Sequence, residues 1–277
     1  MVYITEQVQN ASSIKNKIKL MQNNFVTDAI NLKSYNLSES DKIIVMYSKD
    51  KGLIRGVAKG VKKPKSKLGA RMDMLVANKI MLHKGKNLDT ICQADVLNTF
   101  NKTRSDLDKI FYSMYVTEVV NNFGLEEDPG AAEIYDILYK ALNAISEAKN
   151  EVELLISVIK FQLKMMKVSG FCVELDRCLH CHKKVEDESM YFVSGLGGII
   201  CKDCYDFVPH NKRLMPYKLR DFFRQMTLND FDMAGEYEQK ANKQVCLVTY
   251  NVLKDYIEKK SPKKMKSSSV FEDLSFV

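Results

Sequence analysis

Cys178-Leu179-His180-Cys181 is followed, after 19 intervening residues, by Cys201-Lys202-Asp203-Cys204. A Cys-x-x-Cys turn aims two thiolates at one point, and two such turns meet only if the chain between them doubles back. Tyr191, Phe192 and Val193, the glycine turn Gly195 to Gly198, then Ile199 and Ile200 supply a β-hairpin that does so. Four sulfurs complete a tetrahedron and leave no position for water or substrate. The expected ion is therefore one structural Zn2+ per chain, in a zinc-ribbon-like insert spanning about 177–206. A thiol-disulfide enzyme would need only one of the two pairs. His180 or His182 is the alternative fourth ligand, and Cys92, Cys172 and Cys246 are expected as small core residues.

Seven cysteines without an apolar signal-peptide core ahead of them fit a reducing, cytoplasmic location, where metal binding is commoner than disulfides. The longest apolar runs, such as Leu154 to Ile156, fall far short of the roughly 20 residues that span a bilayer, so no membrane partner is expected. Charge is unevenly spread. Residues 1–100 carry 17 Lys and Arg against 8 Asp and Glu, a net +9 within a chain of net +7, which leaves −2 for the remainder. Lys49, Lys51, Arg55, Lys59, Lys62, Lys63, Lys65, Lys67 and Arg71 are opposed within their segment only by Asp50. Such a field suits a polyanion, against the plainer reading of a solvated face.

From Phe25 onward, short β-type runs alternate with turn residues. The first run holds Phe25, Val26, Ala29, Ile30 and Leu32, and the second Ile43 to Tyr47. A Lys51-Gly52 turn leads to a third at Leu53 to Ala58, and Met74 to Leu82 and Leu88 to Val96 follow, joined by Lys84 to Asn87. Five short strands within about 75 residues match a small closed barrel, of which the oligonucleotide-binding (OB) fold is the common nucleic-acid-binding form. Tyr35 and Tyr47 are stacking candidates, with barrel core as the alternative.

Beyond Phe100 the apolar spacing turns helical. Helices are predicted over Ser105 to Phe123, from an Asp128 N-cap with Pro129 at the first position, from an Asn150 N-cap to Gly170, over Pro216 to Met226 and over Glu236 to Lys259. The fold class is α+β multidomain: an extension over 1–24, an OB barrel over 25–100, and an all-helical domain over 101–277 that holds the cysteine insert. Lys260 to Ser269, rich in Lys and Ser, reads as a loose tail.

No catalytic constellation emerges, so the chain is not expected to be an enzyme. Gly56 to Lys62 has too few residues between its glycines for a phosphate-binding loop and no Ser or Thr after its lysine. His83 and His210 lack partners at a recognisable spacing. Lys160, Lys164 and Lys167 recur at i, i+4 and i+7 beside Ile159, Leu163 and Met166, either as a solvated helix face or as a groove for an acidic peptide with an apolar end.

Three stretches together resemble the RecO family of bacterial recombination mediators. They are Thr27 to Asp41 with Gly56-Val57-Ala58-Lys59-Gly60-Val61-Lys62-Lys63-Pro64-Lys65-Ser66; Lys160 to Gly170 with Glu174 to Cys178, Leu196 to Gly198, Cys201 and Cys204; and Tyr256 to Glu258 with Lys264 to Ser267. The resemblance implies an OB domain joined to a helical one that binds single- and double-stranded DNA and anneals complementary strands. It further implies action with RecR to load RecA onto strands coated by single-stranded-DNA-binding protein, whose acidic tail docks on the helical domain at Lys160. It also makes the terminal Lys-Ser segment part of the fold. Two departures stand out: the extension before about Asn24, and Lys62-Lys63 where the family often has arginines, which gives up bidentate phosphate geometry. An RNA-binding or transcription-associated OB and zinc-ribbon protein is the alternative function.

Overall fold

The structure is a computed structural model that describes residues 23–186, 190–209, 211–228, 230–231 and 241–267. Most of the extension, His210 and the expected helix start at Glu236 lie outside these residues.

Five strands, β1 (Asn24–Asn36), β2 (Lys42–Ser48), β3 (Gly52–Ala58), β4 (Ala77–His83) and β5 (Asp89–Asn98), close into a barrel in the order β1-β2-β3-β5-β4. Neighbours run antiparallel except β3 and β5, which close the barrel through a short parallel pairing at Gly56↔Asp89 and Val57↔Thr90. This is the expected OB arrangement. Alternation along the strands divides the apolar residues between two destinations. Ala29, Ile44, Met46, Ile80, Leu82 and Ile91 fill the barrel, whereas Ile30, Leu32, Val45, Tyr47 and Leu53 point outward into the core of the helical domain.

That domain is built from α1 (Leu107–Phe123), α2 (Ala131–Glu147), α3 (Glu151–Val168), α4 (Tyr217–Leu228) and α5 (Lys243–Lys260). At its centre α3 packs against all four others and is buried along nearly its whole length. Its ends are as expected. Asn150 accepts the Glu153 backbone N–H at 3.0 Å. Beyond the last turn Gly170 at φ +81° lets Phe171 N–H reach the Met166 carbonyl at 2.8 Å. The α2 start differs from the expectation: its N-cap is Gly130, and the Asp128 carboxylate instead accepts from Tyr47 Oη at 2.9 Å and from the Leu125 and Gly130 amides. Asp128 thus holds the turn just before the helix, Oδ1 on the Gly130 amide and Oδ2 on Tyr47, and the helix proper starts two residues later than expected.

The cysteine insert adds a sheet of order β7-β6-β8, from β6 (Met190–Val193), β7 (Gly198–Cys201) and β8 (Arg213–Met215). The β6–β7 hairpin was legible; β8 was not. Cys92 and Cys172 are exposed rather than in the core, and among the three only Cys246 is buried. Their neighbours decide this, for Cys92 falls on the outward register of β5. The terminal Lys-Ser segment is not loose as far as Ser267. Met265 is buried, and the Lys266 and Ser267 amides each donate to the Glu118 carboxylate of α1 at 2.8 Å.

Candidate nucleic-acid interface and metal centre

The four cysteine sulfurs lie within 4.8 Å of one another, and no other group of metal-capable side chains gathers among the described residues. Cys178 and Cys204 are buried, Cys181 and Cys201 half-buried. A tetrahedral ion about 2.3 Å from each sulfur sets the sulfurs about 3.8 Å apart. The Cys181–Cys201 separation is 3.8 Å. Neither histidine joins them: the His180 ring stacks on Phe207, and His182 supplies a backbone N–H to the Cys178 carbonyl. Burial raises the Cys178 thiol, but the backbone N–H groups of Cys181, Cys201 and His180 outweigh it and bring it down to about 6. At Cys204 burial and the neighbouring thiols push upward. The fold thus favours a thiolate at Cys178 and disfavours one at Cys201 and Cys204, an imbalance that a bound cation would offset.

The hairpin is fixed from behind. Gly197 has φ +79° and sits so close to the Tyr256 ring of α5 that an added Cβ would fall 2.3 Å from it. Arg220 of α4 donates to the Val185 carbonyl at 2.6 Å, and Arg224 pairs with Asp176 beside the first knuckle.

At the barrel, the loop from Lys59 to Val76 sorts its residues by polarity. Val61 and Met72 are buried and Leu68 partly so, all packed on the barrel core. Lys59, Lys62, Lys63, Lys65, Lys67 and Arg71 are left exposed. The loop is tethered at both ends. At its start Gly60 donates to Asp41 Oδ1 at 2.7 Å and Lys62 Nζ to the Ser38 carbonyl at 2.9 Å. At its exit Asn31 Nδ2 donates to the Arg71 and Asp73 carbonyls at 2.8 Å. The Gly60 amide, then the Ser40 and Ser38 hydroxyls and Lys59, hold the Asp41 carboxyl below the usual aspartate range.

The family model described as Recombination protein O N terminal matches residues 21–100, and that described as Recombination protein O C terminal matches residues 104–269. The chain belongs to the RecO family. A protein named DNA repair protein RecO from Desulforamulus reducens is 30% identical over 247 residues, 89% of this chain and 93% of its own length. One of that name from Dehalococcoides mccartyi is 33% identical over 180 residues, 65% of this chain and 70% of its own. A third, from Halalkalibacterium halodurans, is 26% identical over 247 residues, 89% and 94% of the two lengths.

In this RecO-family chain the other three basic residues of the segment lie at the solvent-exposed edge of the barrel–helix junction and are ion-paired there. Lys49 pairs with Asp136 at 3.2 Å, Lys51 with Glu127 at 3.1 Å and Arg55 with Glu126 at 2.6 Å. Of the two stacking candidates, Tyr47 is buried in the junction and Tyr35 is 51% exposed. The three α3 lysines do not share one environment. Lys160 is fully buried and donates to the Asp230 carbonyl at 2.5 Å, Lys164 is half-buried 3.5 Å from the Asp230 carboxylate, and Lys167 is exposed. Sequence spacing gave no sign that Asp230, some 70 residues downstream, returns to cover this helix. Lys140 of α2 completes the grip on Asp230 at 2.7 Å, and the buried Phe231 ring lies below Lys164 Nζ. Lys140 and Asp230 were not singled out in the sequence.

Proposed function

We propose that this chain acts in DNA repair by binding single-stranded DNA on its barrel loop. The observation that carries the reading is the sorting of that loop: its apolar side chains close the barrel while six cations stand exposed on a tethered frame. An OB barrel binds strands through such loops and strand faces. Six phosphate contacts give a log–log salt slope of about −4 for a single strand. Lys49, Lys51 and Arg55, engaged at the junction, serve mainly to seat the barrel on the helices. The four cysteines hold one structural zinc ion that locks the hairpin and leaves no ligand position for catalysis.

The resemblance to recombination mediators extends the reading to double-stranded DNA, to annealing of complementary strands, and, with RecR, to loading RecA onto strands coated by single-stranded-DNA-binding protein. Docking of that coat protein's acidic tail is assigned to the face of Lys140, Lys164 and Lys167, with Lys160 buried behind Asp230. The chain's own Asp230 and Phe231 pack there as a carboxylate next to an aromatic ring, which supports the reading.

The test is annealing of complementary oligonucleotides with and without the coat protein. The wild type should anneal in both settings, and Lys59→Ala/Lys62→Ala/Lys63→Ala should weaken binding roughly tenfold or more at moderate salt, since it removes about three of six phosphate contacts. No annealing in either setting would refute the mediator role. For the tail face, Lys167→Ala is preferable to Lys160→Ala because Lys167 is exposed; its affinity for the tail peptide should fall.

A further inference from the structure

Beside the loop, a groove of 430 Å³ runs between β1, α1 and the terminal segment Lys263 to Ser267. Its wall on β1 is Lys33 and Tyr35, with Lys33 Nζ 5.4 Å from the Tyr35 ring centre. Its floor is the α1 face carrying Met114, 43% exposed. Its far rim carries Lys263, Lys264 and Lys266, all three exposed. The lining thus holds four lysines and one acid, Glu118. Both oxygens of that acid are already turned to the rim: Oε1 accepts the Lys266 amide, and Oε2 accepts the Ser267 amide and, at 2.5 Å, its hydroxyl. The rim itself is rigidly placed. Asn122 Nδ2 donates to Ser261 Oγ at 3.2 Å and to the Lys263 carbonyl at 3.4 Å, and Met265 is buried.

The groove is continuous with the basic loop. Past Arg71, whose carbonyl is held by Asn31, the Leu75 amide binds the Asn31 carbonyl at 3.1 Å, and Met74 between them lines the groove. A surface that joins an exposed aromatic ring and an apolar floor to lysines on both rims matches what a nucleic-acid strand offers: flat bases on one side and a phosphate row on the other. The volume lies within the range of pockets that enclose a small ligand, enough for one or two bases.

We propose that this groove is a second stretch of the strand path, in which single-stranded DNA leaving the basic loop stacks a base on Tyr35 above Met114 and sets its phosphates against Lys33, Lys263 and Lys264. The inference rests on the loop being the first stretch. It gives the terminal Lys-Ser segment, which joins α5 to α1, a binding role that neither the barrel nor the metal site accounts for.

The test measures fluorescence anisotropy of full-length protein with labelled oligo-dT of about 8 nucleotides, a length one such barrel covers, and of about 25 nucleotides, which outreaches it. With the longer strand, Tyr35→Ala should weaken binding about tenfold and Tyr35→Phe should bind like the wild type. Lys263→Ala/Lys264→Ala should make the salt slope shallower by about 1.4. With the shorter strand these variants should change little, while the triple loop variant weakens both. Photocross-linking of a long strand bearing 5-iodouracil should label the peptide that contains Tyr35. If the loop variant is impaired but the groove variants are not, and cross-links map to the loop alone, the groove proposal is wrong and the loop reading stands. If an acidic apolar peptide occupies the groove without competing with the strand, the proposal is likewise wrong. If no strand binds the wild type, the loop reading itself fails.

Discussion

The four clustered cysteines show how much geometry two short motifs carry. Spacing alone gave the four sulfurs and the hairpin between them, because a closed tetrahedron leaves the chain few ways to pass. Exposed positions were harder to read. Among the described residues, six of the nine clustered cations make no ion pair with the helical domain and three do, and the acids at Glu126, Glu127 and Asp136, far along the chain, make the difference. Replacing Cys204 with Ser should abolish stoichiometric metal by elemental analysis, and should cost more than about 4 kcal/mol in denaturant unfolding, the scale reached when a structural metal is lost. A second prediction concerns Asp41. Its carboxyl is held below the ordinary value of 3.8, so its contribution to loop order is complete above that value and disappears as pH falls through the lower folded one. The Gly60 amide NMR shift should therefore stay flat down to about pH 4 and move only below it. A midpoint above 3.8 would contradict the assigned hydrogen bond.

Elements were legible where their signals are local. Asn150 and Gly170 bracket α3 as read from sequence, since an N-cap and a left-handed terminal glycine act within one turn. Asp128 carried the same signal two residues early: its Oδ1 holds the Gly130 amide and its Oδ2 takes Tyr47 of β2, while α2 itself begins after Gly130. Lys160 misled in another way: helical spacing predicts which residues share a face, not what later covers it. Asn150→Ala should destabilise the protein by about 1 kcal/mol, visible as a lower urea midpoint with an unchanged slope, since only the helix end loses a partner. No loss of stability would mean that water replaces the cap fully.

At the scale of the molecule, the barrel and the helices share one buried apolar cluster. Ile30, Tyr47 and Leu53 on the barrel's outer face belong to the same apolar cluster as α1, α2 and α3. The change of texture at residue 100 falls where the two family matches divide, and the apolar cluster continues across it. Calorimetry should show the barrel and the helices melting in a single transition, unaffected by salt that screens the exposed junction ion pairs; two well-separated transitions would contradict a shared core. The closed barrel has a further consequence, for crowding. Strands that end a sheet present unpaired amides and carbonyls that invite neighbours to add on. Here β1 to β5 close on themselves, though β3 and β5 meet over only two residue pairs, and the outer side of β7 is occupied by Glu174, whose amide and carbonyl bond Gly197 and Ile199. Among the described residues only three-residue β8, headed by Arg213, leaves a sheet margin open. The margins through which neighbouring copies could add a strand are therefore short, which disfavours edge-to-edge association at high local concentration.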